Sequence, residues 1–298
     1  MRMDNGSGRR VIVHCGAQKT GSTAFHHFVQ QNHERLRGRV EIRTPQKGTV
    51  TRDLGRTCAL FSLDLEAHED ALVALIQQIG TDVAATDCTC IISHENIVGA
   101  MMGRSGVTTL YPALPKIIAL FEKHLAPVQP VYVIYTRDMG AWKKSVHNQA
   151  VKSDSYAGTQ AQFLAETEDC GTWEQLEQDL VARLGRDRVV FFRLEDEPAQ
   201  DRPGQQLLRL AGLSEAEIAT LDPVPGRRNE SLNPGALEFM RQMNGLGLGR
   251  PARRQVAALI KKNPALFAED IHPASQPGHV IPTGADAPLL DETGERNG

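Results

Sequence analysis

Short apolar runs alternate along the chain with longer stretches whose apolar residues recur at helical spacing. The first run is Val11-Ile12-Val13-His14-Cys15, closed by Gly16. Phe25, Phe28 and Val29 then fall at helical intervals and predict a helix reaching Asn32 or Leu36. Leu72, Leu75, Ile76 and Ile79 keep an i, i+3, i+4, i+7 stripe, so a helix is expected over roughly 66–80. Cys90-Ile91-Ile92-Ser93 reads as a second buried strand. A helix near 113–126 follows, ended by Pro127. The run PVYVIYTR (130–137) is a strong strand, and Asp138 is the expected N-cap of a helix to about Lys152. Helices are expected over 159–168 and 172–184, and Val189-Val190-Phe191-Phe192 is the fourth strand.

Strands of this kind, separated by helices, predict an α/β fold: a three-layer sandwich around a mostly parallel central sheet. Such sheets bind ligands beyond the carboxyl ends of their strands. The residues just after each strand therefore carry the functional argument. After the first strand comes Gly16-Ala17-Gln18-Lys19-Thr20-Gly21-Ser22-Thr23, leading into a helix. Glycines at 16 and 21 allow a tight turn and close approach to an anion, and the helix start offers free N–H groups. Both glycines and Thr23 fit the triphosphate loop GxxxxGK[ST], but Ser22 stands where that motif needs lysine. The loop's cation is Lys19, on its crown. A ligand with a single 5′-phosphate, and a group leaving from it, suits that placement.

Composition narrows the class. The 298 residues are 41% hydrophobic and 23% charged, with a formal net charge of −3, which argues against a broad electrostatic grip on nucleic acid. Mean hydropathy is −0.32, no apolar run approaches the roughly 20 residues of a membrane span, and the N-terminus is unlike a secretory signal. Five cysteines without zinc-ligand spacing read as reduced thiols. A cytoplasmic enzyme, monomer or homodimer, with no metal site and no integral membrane association, is the expectation. No GxSxG elbow favours hydrolase chemistry.

The segment VIVHCGAQKTGST resembles the 5′-phosphosulfate loop of the sulfotransferases that use 3′-phosphoadenosine 5′-phosphosulfate (PAPS), particularly their bacterial branch. The resemblance spans roughly residues 10–245. It implies a P-loop NTPase-like sulfotransferase fold, with PAPS as co-substrate and no metal. Gly16, Lys19, Thr20, Gly21, Ser22 and Thr23 would hold the 5′-phosphate, and Lys19 would follow charge onto the leaving phosphate. The family's 3′-phosphate signature, an arginine ending a strand and a serine eight residues later, matches Arg137 and Ser145. Without the family, Arg137 paired to Asp138 or a neighbouring carboxylate reads equally well. Arg193-Leu194-Glu195 matches a bracing Arg-x-Glu, read either as a structural ion pair or as a ligand contact. Arg227 and Arg228 fit a basic loop that closes over the nucleotide; the alternative is a surface loop capping a helix that starts near Pro234.

Sulfuryl transfer also needs a base for the acceptor hydroxyl. The second strand ends in Ser93-His94-Glu95-Asn96. By the resemblance Glu95 is the first choice and His94 the reserve, with His14 expected to play a structural part. The family often carries Gln where this chain has His26; His26 and His27 are expected as exposed and semi-exposed helix residues. Lys143, Lys144 and Lys152 are expected on a solvated helix face. Segments 44–66, 97–112 and 153–172 would choose the acceptor, a carbohydrate or small hydroxylated metabolite, and 101–106 reads as a flap or a plain Gly-containing loop. A catalytic domain over 1–245 is expected, then 246–298 with one helix near 255–265 and an irregular tail. A magnesium-dependent kinase or nucleotide hydrolase, and a silent nucleotide-binding module, are the rival classes.

Overall fold

The structure is a computed structural model that describes residues 9–224 and 232–267. Five strands build one sheet: β1 (Val11–His14), β2 (Val40–Arg43), β3 (Thr89–Ser93), β4 (Val131–Thr136) and β5 (Val189–Arg193). Their order across the sheet is β2-β3-β1-β4-β5, and every pairing is parallel. The helices, in chain order, are α1 (Ser22–Gln31), α2 (His33–Leu36), α3 (Val50–Phe61), α4 (Glu69–Ala84), α5 (Leu114–His124) and α6 (Met139–Ser153). They continue as α7 (Gln160–Glu166), α8 (Trp173–Leu184), α9 (Gln205–Leu210), α10 (Glu215–Ala219), α11 (Pro234–Gly245) and α12 (Arg250–Lys262).

Alternate strand residues point to opposite faces, and each face has its own core. Val11, Val13, Cys90, Ile92, Tyr132 and Ile134 pack with α3, α4, α5, α6 and α8. Ile12, Ile91, Val133 and Tyr135 pack with Phe25 and Phe28 of α1 and with Leu207 and Leu208 of α9. These are the three layers. The chain leaves β1 toward the α1 face and leaves β3 and β4 toward the other. A crevice therefore opens at the carboxyl end of β1, where such sheets bind ligands.

Four elements are absent from the sequence reading: β2, α3, α9 and α10. β2 is a fifth strand: VEIR is interrupted by charges, which an edge strand tolerates because only one side is paired and its residues are mostly half-buried. Within 44–66 lies a three-turn helix, α3, capped by Thr49, whose side chain accepts the Arg52 N–H. The 101–106 segment is a tight turn, closed by the Gly103 N–H to Val107 O bond at 2.8 Å, with Met101 and Met102 buried. Helix α12 starts at Arg250, ahead of the expected 255, and packs with α11 and Val151 in a small separate cluster. The tail beyond Phe267 lies outside the described residues. Among the described residues no helix is long and apolar enough to cross a membrane.

Candidate functional site

The loop from Cys15 to Gly21 turns back on itself at three left-handed positions: Gly16 (φ +56°), Lys19 (φ +70°) and Gly21 (φ +95°). At Lys19 this conformation costs roughly 1–2 kcal/mol, so the surroundings must hold it. They do. The Trp142 indole donates to the Gln18 carbonyl at 2.8 Å, and the Gln18 side chain is buried, bonding Gly99 O at 2.9 Å and accepting from the Tyr111 hydroxyl at 2.7 Å. Gln18 is thus the root of the loop, and Lys19 beside it turns outward. Thr20 is buried, and its hydroxyl bonds back to Ala17 O at 2.6 Å; that side chain shapes the loop.

Helix α1 begins at Ser22 with no side-chain cap, so its first-turn N–H groups remain open at the loop's mouth. Ser22 Oγ is buried without a partner, while Thr23 is exposed. At Gly16 a side chain has no room: a Cβ would stand 2.9 Å from both Glu95 Cα and Ser22 Oγ. That close approach brings the β3 terminus against the loop, and it seats Glu95 beside it. The Glu95 side chain is half-buried, with Oε2 enclosed and unpartnered.

His94 lies beside it, with Nδ1 3.6 Å from Glu95 Oε2. Its ring lies against Gly55 of α3, where a Cβ would fall 2.1 Å from Cδ2, and its Nδ1 accepts the Asn96 N–H at 3.0 Å. Burial holds its pKa below the ordinary histidine value, opposed by the Glu95 charge and assisted by Arg52. His14 is wholly buried at the end of β1, edge-on to Phe25 and Tyr135, and burial lowers its pKa to about 3.

Cations gather on the β4 side. Lys19, Ser145, Asn148, Gln149 and Lys152 line one narrow pocket, of about 10 Å³, with Leu232 and Leu237 from the chain's last third. Lys19 Nζ reaches Gln149 Oε1 at 3.4 Å. Its pKa is lowered first by burial, then by the charges of Lys152 and Arg137, which brings Arg137 into the same field. Among the described residues none of these three cations forms an ion pair with a carboxylate. Unpaired, partly desolvated positive charge of this kind is what an anionic ligand offsets. Arg137 also anchors the strand end, its carbonyl accepting from the Trp173 indole at 2.9 Å. Glu195 braces the start of α6 by accepting the Asp138 N–H at 2.9 Å, and lies 4.0 Å from Arg193.

Two expectations about side chains are corrected. His26 is buried, with Nε2 2.8 Å from Ser93 Oγ, because α1 turns it inward with Ser22, Phe25 and Val29; His27 is exposed. Lys152 is half-buried at the pocket, its pKa lowered by burial and then by Lys261 of α12. Lys143 is half-buried too, its Nζ donating to Thr167 O, so of the three lysines only Lys144 is exposed; at Lys152 the difference is the α11–α12 cover, which no local pattern announces. Arg227 and Arg228 lie outside the described residues. Among the described residues no three His, Cys, Asp or Glu side chains form a group able to hold a metal ion.

A second cleft, of about 340 Å³, lies beside β2 and is lined by residues such as Val29, His33, Arg37 and Glu41. Neither the loop after β1 nor any other candidate residue lines it. Comparison with protein-family models, with curated proteins and with solved structures finds no match for this chain.

Proposed function

We propose that the chain is a sulfotransferase of the P-loop-like kind, moving a sulfuryl group from PAPS to a hydroxyl or amine of a carbohydrate or small hydroxylated metabolite. The observation that carries this reading is the convergence of Lys19, Ser145, Lys152 and the charge of Arg137 beside an uncapped helix start. The ligand it suits is small and carries two separate anionic groups. One phosphate would take the loop N–H groups, Ser22, Thr23 and Lys19; the ribose 3′-phosphate would take Arg137 and Ser145. Arg227 and Arg228 belong to this reading as the basic loop over the nucleotide.

In the reaction the acceptor oxygen bonds to sulfur as the bond from sulfur to the 5′-phosphate oxygen breaks. The electron pair of that bond leaves on the phosphate, where Lys19 and the loop N–H groups stabilise the arriving charge. Glu95, on the other side of Gly16, takes the acceptor's proton. His94 is poorly placed for that task, since its Nδ1 already accepts a backbone N–H and its ring is packed against α3.

A thermal shift tests the donor. Saturation with 3′-phosphoadenosine 5′-phosphate (PAP) should raise Tm by about 5 °C or more at a hundredfold excess over Kd. ADP with magnesium should do much less. Stabilisation by ADP and magnesium alone overturns the proposal in favour of a kinase or nucleotide hydrolase.

A further inference from the structure

Ser93 closes β3 at the point where β3, β1 and α1 meet. It is the register partner of His14 on β1, and its hydroxyl lies 2.7 Å from His14 Nδ1 and 2.8 Å from His26 Nε2. All three side chains are buried, Ser93 completely. A hydroxyl has one proton to give, so with two neutral rings it donates to one and accepts an N–H from the other. The chain of bonds is therefore directional: at Ser93 one ring nitrogen accepts and the other donates.

The three elements tied by this chain carry the whole proposed transfer apparatus. β1 runs into the loop with Gly16 and Lys19, α1 presents Ser22 one turn before His26, and Glu95 follows Ser93 by two residues. Glu95 is also the charge that most favours protonation of His26, yet burial outweighs it and the ring's pKa falls to about 3. The other titratable groups bearing on His26 are His14, His94 and His27, and all three disfavour its protonation. Glu95 forms no ion pair with His26; the imidazole beside its carboxylate is His94, with Nδ1 3.6 Å from Oε2.

We propose that His14, Ser93 and His26 act as one hydrogen-bonded brace that positions Glu95 against the donor loop, with Ser93 its hub and His26 a positioning residue. The proposal rests on the reading of Glu95 as the base. Breaking the brace should therefore slow transfer while leaving donor binding nearly unchanged, because misplacing a reacting group by about 1 Å can cost a hundredfold.

The test needs no knowledge of the acceptor. PAPS turnover with water as acceptor forms PAP and sulfate, the water proton going to Glu95, and can be followed beside calorimetric PAP binding. Ser93→Ala and His26→Ala should slow turnover by at least about tenfold at saturating donor, with the Kd for PAP changed less than about threefold. His26→Gln, which keeps a neutral hydrogen-bonding group, should recover most of the loss. Nitrogen spectra of the histidines should show fixed, neutral tautomers for His14 and His26 between pH 5 and 8 in the parent, and a mixture of the two neutral tautomers for His26 in Ser93→Ala, where its Nε2 has lost its partner. Glu95→Gln separates the two failures. If it turns over like the parent, the base reading and the brace both fall. If it is slow while Ser93→Ala and His26→Ala match the parent, the brace alone is overturned. His26→Gln behaving like His26→Ala would also overturn it.

Discussion

Two regions line the same pocket and are held in different ways. The floor is the loop after β1, rooted in the main core through Gln18, Tyr111 and Trp142, with His14, Ser93 and His26 beneath it. The wall is the α11–α12 hairpin, which rests on a small cluster of Val151, Ala236, Met240, Met243, Ala257 and Ile260. It also holds every exposed large hydrophobic of the described residues, from Phe239 to Leu266. The floor is specified by polar groups locked in a dry setting, where a missing partner costs about 1–3 kcal/mol. The wall is specified by a few apolar contacts and should open at lower free energy.

Acidification should separate the two regions most strongly. His14 and His26 have folded pKa values of about 3, against about 6.5 when unfolded. The unfolded chain takes up these protons first as the pH drops. The stability each ring contributes is therefore complete above about pH 6.5 and is lost progressively as pH falls toward 3. By pH 5 the loss is about 2 kcal/mol for each ring, roughly 4 kcal/mol together. Urea unfolding at pH 7.5 and pH 5 measures it, and His26→Gln should lose about 2 kcal/mol less than the parent. An equal loss in both proteins would show that His26 is not held neutral by burial. The hairpin carries one carboxylate, Glu238 of α11, whose pKa the Arg241 hydrogen bond holds below the ordinary value, and no buried histidine, so the loss from the histidines acts on the floor.

The contrast also explains what the sequence revealed. The loop was legible because its constraints are local: glycines at 16 and 21, a preceding apolar strand and a following helix. Four strands were legible for the same reason, as apolar runs bounded by turns. β2 was not, because Glu41 and Arg43 break its run and an edge position permits that. α3 was obscured by Gly55, a helix-weakening residue whose place is set by His94 lying against it. The pairing of Ser93 with His26 spans 67 positions, and spacing along a chain carries no signal for it. Only the inward phase of His26, four residues after Ser22 and one after Phe25, could have placed it on the buried stripe. Lys152 needed the hairpin's position, which depends on packing between segments far apart in sequence.

A more local break of the floor is Gly16→Ala. The new Cβ would meet backbone Glu95 Cα at 2.9 Å in a left-handed conformation, and backbone cannot swing aside as a flexible side chain can. A cost of about 3 kcal/mol is expected, read by urea unfolding, together with loss of PAP binding by calorimetry. Gly48→Ala is the matched control: its φ is +82°, but nothing lies within 4 Å of the added carbon. It should cost only about 1 kcal/mol and leave PAP binding intact. Equal costs at the two positions would mean that the contact with Glu95 contributes nothing.

The smallest effect on the whole molecule is expected at the wall. Met240 is fully buried in the hairpin's cluster, and truncating it to Ala removes contacts that few neighbours can replace, at a cost of about 2–3 kcal/mol. Because the cluster is separate from the two cores that cover the sheet, the loss should be local. Amide exchange in α11 and α12 should accelerate by about thirtyfold or more, while β1 and β3 keep their protection. PAP affinity should fall by less than about tenfold, since Leu237 is one lining residue among several and Lys19, Ser145 and Lys152 remain on their own elements. Exchange that rises equally in the hairpin and in β1 would show that wall and floor unfold as a single unit, and the distinction between them would then be one of packing alone.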